Sequence, residues 1–394
     1  MRLLCLASTL AVACSPAARP ARLEGSPPAP VALGDAAVPD APPPTIAIGA
    51  YLPMTGASGV FGNSVHQGID LAFKERNATG GIHGRPLDLR TLDTMGTPEA
   101  AADAALRLIK RDDVVALLGE FSSGLSMAGG AVAQHAGVPM ISPSATSSQV
   151  NAIGDRVFRV YPSDVAQASA IARFAFQQGT KRRIAVLADL STPYARTLTD
   201  AFVAELAHQG QATVTVFTYA ARDTSHARQL AAIQKAKADV LFLPGYYSDV
   251  AAIAVEARAL GVTATFLGTD GWESARLIEL GGAAVEGARF STGLALDDPR
   301  PETARFVAAY RATYGADPDT LAATGYDAAL LLLDALDRSA STDGADLAAA
   351  IASVRGLTGA GGTITIGADR EPARPFTIVT VRGGEFHYLA TIAP

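Results

Sequence analysis

The chain has 394 residues, 49% hydrophobic and 18% charged, with a formal net charge of −6. That modest acidity argues against nucleic acid as a partner, which requires a basic face. The only cysteines, Cys5 and Cys14, lie at the extreme N-terminus, which leaves the body no thiols for a disulfide framework, a thiolate metal site or a cysteine nucleophile.

The first residues, MRLLCLASTLAVAC, place Arg2 ahead of an apolar run from Leu3 to Ala13. This is the pattern of a secretory signal over 1–13, too short to span a bilayer. The small residues before Cys14 resemble the lipobox of bacterial lipoproteins, which implies that Cys14 is lipidated and becomes the mature N-terminus. Residues 14–44 then read as the lipidated Cys and a Pro/Ala-rich tether without apolar periodicity, outside the fold.

About 350 residues remain, suited to two domains. TIAIGAYL (45–52) reads as a strand and about 63–77 as a helix. LDLRTLD (87–93), a helix after Thr97, VVALLG (114–119), a helix through Ala136 and VPMIS (138–142) continue the alternation. A second series, RIAVLAD (183–189), ATVTVFTY (212–219), DVLFLPG (239–245) and TATFLGTD (263–270), is spaced by helix-length segments. RFSTGLAL (289–296) reads as a crossing back, followed by helices to about 355. TITIGAD and FTIVTVRGGEFHYLATI read as closing hairpin strands, with a turn at Gly383–Gly384. Continuous apolar strands alternating with helices predict two doubly wound parallel-sheet α/β domains. The expected lobes are 45–162 plus 291–355 and 163–290 plus 356–394, joined by hinge strands around a ligand cleft.

In open parallel sheets ligands bind beyond the carboxyl ends of the strands, so the residues just after each apolar run are the informative ones. They carry hydroxyls (Ser122, Ser123, Ser144, Thr146), aromatics (Phe61, Tyr194, Tyr246, Trp272) and an acid, Asp270. A free amino acid needs donors for its carboxylate and a countercharge for its ammonium. A serine at a helix N-terminus supplies the first, and Asp270 the second. Asp189, ending RIAVLAD, is the nearest competing acid. Other roles for the same residues are open: Ser123 and Asp270 as helix caps, Tyr246 and Trp272 as packing. No P-loop or G-x-S-x-G elbow is found, and His66, His83, His135, His208, His226 and His387 are not at metal-ligand spacing, so no enzyme, metal or cofactor is expected.

GAYLPMTGASGVFG followed by GIDLAFKERNATGGIHGRPL, then ALLGEFSSG, VPMISPSAT, GYYSD and GTDGW, occur in the order seen in the periplasmic leucine/isoleucine/valine-binding proteins, and residues 45–394 resemble that family. The resemblance implies the type I periplasmic binding protein fold and capture of an amino acid or amide for an ABC permease, by a monomer lipid-anchored outside the cytoplasm. It implies ligand contacts at Phe61, Ser123, Ser144, Thr146, Tyr194 and Tyr246, with Asp270 pairing the ligand ammonium. The alternative of the same fold is an envelope lipoprotein acting as a regulator or sensor through a protein partner.

Overall fold

The computed structural model describes residues 44–394 except 57, 179–182, 211–213 and 221–222. The expected signal peptide, Cys14 and the tether up to residue 43 lie outside the described residues. Among the described residues no helix is long and apolar enough to cross a membrane.

The first series folds as β1 (Ile46–Leu52), α1 (Gly59–Ala78), β2 (Leu87–Asp93), α2 (Pro98–Lys110), β3 (Ala116–Leu118), α3 (Ser123–Ala136), β4 (Met140–Ser142) and β5 (Val157–Arg159). Its five strands pair in parallel in the order β2-β1-β3-β4-β5. Every residue of β1 is buried, as a continuous apolar strand covered on both faces must be.

The second series is α4 (Asp164–Gln177), β6 (Ile184–Ala188), α5 (Pro193–His208), β7 (Val214–Thr218), α6 (Ala227–Lys235), β8 (Val240–Phe242), α7 (Tyr247–Ala259), β9 (Thr265–Gly268), α8 (Ala275–Gly281) and β10 (Arg289–Thr292). α9 (Pro301–Tyr314), α10 (Thr320–Arg338) and α11 (Gly344–Ala352) follow, then β11 (Leu357–Gly359), β12 (Gly362–Ile366), β13 (Pro372–Ala373), β14 (Phe376–Arg382) and β15 (Glu385–Ile392). The second sheet runs β15-β14-β10-β9-β8-β6-β7, with the β14–β15 hairpin added antiparallel to β10. The chain is thus α/β with two parallel-sheet cores, as expected.

Helix starts follow side-chain chemistry. Thr97, Ser163, Thr192 and Asp319 accept from the backbone N–H three residues on, so each helix begins where its cap dictates. α1 and α10 cover one face of the first sheet and approach through glycine. A Cβ at Gly68 would overlap the Ala322 carbonyl, and one at Gly325 the carbonyl of Val65.

One expectation is corrected. Residues 356–375 do not join the second lobe. β12 pairs with β11 and β13 in a separate three-stranded sheet, and Ala360, Ile364 and Ile366 pack in the same core as Ile48, Phe158 and Leu332. Two ion pairs hold this segment to the first lobe: buried Arg159 bonds both oxygens of the half-buried Glu371 at 2.5 and 2.6 Å, and Arg374 meets Asp327 at 2.9 Å with both side chains buried. Only from Phe376 does the chain enter the second core, so it crosses between the cores three times, after Val160, near Gly293 and between Arg374 and Phe376. TITIGAD gave no sign of this, because alternating Thr and Ile fit either sheet.

Candidate functional site

The carboxyl ends of both parallel sheets open onto a cleft of about 410 Å3. Phe61 on α1, Phe121 and Ser122 after β3, and Ser144 and Thr146 after β4 come from the first sheet. Tyr194 on α5, Tyr246 and Tyr247 at the start of α7, and Asp270, Gly271 and Glu273 after β9 come from the second. Tyr161 after β5 and Asp319, Thr320, Leu321 and Thr324 at the start of α10 complete it. Of the sequence-predicted residues, Phe61, Ser144, Thr146, Tyr194, Tyr246 and Asp270 meet here. No Lys, Arg or His is among the described residues lining the cleft, while three carboxyls are.

Aromatic pairs wall the cleft on both sides. Phe61 lies 5.4 Å from Phe121, and Tyr194 stacks on Tyr246 at 5.0 Å with an interplanar angle of 16°. Tyr246 and Phe61 remain 54% and 44% exposed, so apolar surface waits at the opening for a partner.

The hydroxyls mostly brace the loops. Ser144 Oγ donates to the Phe121 carbonyl at 2.7 Å, and Ser126 and Ser142 Oγ each donate to the Glu120 carbonyl at 2.8 Å. The buried Glu120 carboxyl accepts from Thr94 Oγ1 at 2.7 Å and from the Ser122 N–H at 3.3 Å; burial nonetheless pushes it up to about 7. Ser123 is not on the cleft: its Oγ accepts from the Ser147 N–H at 3.2 Å and ties the two loops together. The physical reason is helix geometry. Ser122 is the N-cap, in extended conformation at the cleft edge, and Ser123 is already in the first turn. With the hydroxyls so engaged, the free N–H groups opening α3 are the donors left for an anion.

Asp270 is held by second-lobe donors. Its Oδ1 accepts from Tyr194 Oη at 2.8 Å and its Oδ2 from Gln167 Nε2 at 3.1 Å, while the Gly271 N–H reaches Tyr194 Oη at 3.1 Å. A carboxylate can accept about four hydrogen bonds, so capacity remains for a ligand. Burial raises its affinity for a proton against the pull of those hydrogen bonds. Asp164, bonded by Thr146 and facing Asp270, is pushed up to about 7 by burial first and by that neighbour second.

Trp272 is a correction. It is fully buried, donates Nε1–H to the Leu243 carbonyl at 3.1 Å and packs beneath Gly268 in the second-lobe core. Residues 270–272 form a 3₁₀ turn, in which positions three apart eclipse and intermediate ones point elsewhere. The same turn brings Glu273 to the side of Asp270, a residue sequence reasoning missed; an acid three residues after another at a strand end was the available signal. Asp189 is no competitor, since its Oδ1 is taken by the Ser191 N–H and hydroxyl at 3.0 and 2.6 Å. Tyr161 and Phe121 were also missed, being indistinguishable in sequence from core aromatics.

Comparison with known proteins agrees with this architecture. The family described as periplasmic binding protein matches residues 45–385. A Leu/Ile/Val-binding protein homolog 3 of Brucella melitensis is 26% identical over 322 residues, 81% of this chain and 86% of that protein. The crystal structure of a leucine-binding protein LivK from Thermotoga maritima is 33% identical, covers 89% of this chain and 99% of its own, and superposes with a TM-score of 0.76. LivJ of Streptococcus pneumoniae, solved in complex with isoleucine, is 25% identical with a TM-score of 0.75 and covers 89% of this chain and all of its own. With two strand-end surfaces facing one cleft and a family match over nearly the whole folded body, the chain belongs to the periplasmic binding protein family, as a binding component rather than an enzyme.

Proposed function

We propose that the protein captures a small α-amino acid outside the cytoplasm and delivers it to an ABC permease. The observation that carries this reading is the charge pattern of the cleft: Asp270 and Glu273 on the second-lobe side, helix and loop N–H groups on the first-lobe side, and no basic side chain among the described lining residues. A zwitterion fits that pattern. Its ammonium meets Asp270, its carboxylate meets the start of α3 and the 142–146 loop, and its side chain lies between Phe61, Phe121 and Tyr246. The names of relatives that bind leucine and isoleucine support the same substrate class. In this reading Cys14 carries the lipid, and residues 15–44 let the binding domain reach a permease in the membrane. The cleft is not filled by the protein's own side chains, which favours a ligand over a purely protein-directed role.

A thermal-shift panel of α-amino acids, their decarboxylated amines and their amides tests the reading on the secreted protein. A ligand at about a hundred times its Kd stabilises the folded state by about 2.7 kcal/mol, a resolvable rise in Tm. The rise is expected for an α-amino acid and is expected to vanish for the matching amine. Stabilisation by neutral amides alone would overturn the zwitterion reading.

A further inference from the structure

Placing a ligand ammonium on Asp270 leaves a second carboxyl in the cleft with no countercharge. Glu273 follows Asp270 by one 3₁₀ turn and emerges on the same side. Its Oε1 accepts from Thr292 Oγ1 at 2.7 Å, and that hydroxyl lies 3.1 Å from the hydroxyl of Thr320. Thr320 and Thr324, in the first turns of α10, line the cleft with it. Thr292 and Thr320 orient the carboxyl but bring no positive charge, while the Thr324 hydroxyl donates to the Leu321 carbonyl. Burial pushes the Glu273 carboxyl up to about 8 in spite of the hydrogen bonds from Thr292 and Thr320, and Asp319 and Asp270 push the same way. Beside Glu273 the Tyr161 hydroxyl is buried without a hydrogen-bond partner.

A pocket end shaped for an aliphatic side chain would present hydrocarbon here. Setting hydrocarbon against a carboxyl with spare lone pairs leaves polar capacity unmet, an arrangement folded proteins avoid. A nitrogen donor on the ligand side chain satisfies it, with the stem of that side chain against Phe61, Phe121 and Leu321. We propose that Glu273, with Thr320 and Thr324, forms a side-chain subsite that selects amino acids ending in a nitrogen donor, an amine or carboxamide, over aliphatic ones of equal length. This rests on the amino-acid reading above and narrows it away from the aliphatic ligands named for the relatives.

L-Ornithine, L-glutamine and L-norleucine have side chains of equal length and differ in the terminal group, so calorimetric titration of the secreted protein with the three is the test. The wild type is expected to bind ornithine or glutamine at least tenfold more tightly than norleucine. Ornithine ahead identifies a cation as the preferred donor, glutamine ahead a carboxamide. Glu273→Leu is expected to erase the preference, so that ornithine and glutamine bind no more tightly than norleucine. Glu273→Gln, which preserves shape, is expected to weaken ornithine at least tenfold and carries the comparison if the leucine variant does not fold. Norleucine or leucine bound as tightly as the nitrogen ligands, with binding still lost in Asp270→Asn, overturns the subsite and leaves the amino-acid reading standing. Binding of no α-amino acid, leucine included, overturns both.

Discussion

Asp270→Asn isolates one charge in an otherwise unchanged site. The asparagine carbonyl can still accept from Tyr194 Oη, and Gln167 can turn its side chain so that Oε1, which has no partner in the empty protein, receives the new amide. The empty protein therefore keeps its packing. It should also gain stability relative to the wild type above the ordinary aspartate range: burial raises the folded-state value of Asp270, so its contribution is complete at low pH and is lost as pH rises through that raised value. Ligand binding responds in the opposite direction. Removing one partner of a buried, hydrogen-bonded charge pair costs about 2–5 kcal/mol, or roughly 30-fold to several thousand-fold in affinity. Calorimetry with the best α-amino acid ligand, and thermal unfolding without ligand, measure the two effects separately. Affinity within a few-fold of wild type would refute Asp270 as the ammonium partner. Weakened binding accompanied by a large fall in Tm of the empty protein would show a structural role instead.

Gly68→Ala drives a methyl into the Ala322 carbonyl across the α1–α10 contact, where both sides are helix backbone; overpacking of this kind typically costs about 1–3 kcal/mol, and an unchanged denaturation midpoint would contradict the close approach. Glu273, pushed up to about 8, contributes stability that is present at acid pH and lost as pH climbs through that value. The Tm of empty Glu273→Gln relative to wild type should therefore rise between about pH 5 and about pH 9, and a constant difference would show that the carboxyl is not uncompensated. Cys14→Ser should move the protein from the membrane fraction to the soluble or unprocessed pool, and membrane attachment that persists in the variant would remove the lipid anchor from the account.

The alternation of apolar strands and helices was enough to read two parallel sheets, because a strand buried on both faces leaves an unbroken hydrophobic run such as Ile46–Leu52. The strand-end rule then located the cleft and brought six of the eight predicted ligand residues to it. Its failures have one cause: a loop position does not state where a side chain points. Ser122 and Ser123 differ by one step across a helix cap, and that step sends one hydroxyl to the cleft and the other to Ser147. Asp270 and Trp272 differ by two steps in a 3₁₀ turn, which buries the tryptophan in the core and brings Glu273 to the cleft in its place. The extra crossing at Arg374–Phe376 depends on Arg159–Glu371 and Arg374–Asp327, partners separated by 212 residues in the first case. Contacts of that range leave no local pattern to read.

The charge pattern of the cleft fixes one orientation for a zwitterion, and a crystal structure of the protein with its tightest α-amino acid ligand reads that orientation out. The ligand ammonium is expected within hydrogen-bond distance of Asp270, with its carboxylate at the N-terminus of α3 and the 142–146 loop. A ligand bound with these two ends exchanged, or bound outside the cleft, would contradict the pairing of Asp270 with the ammonium.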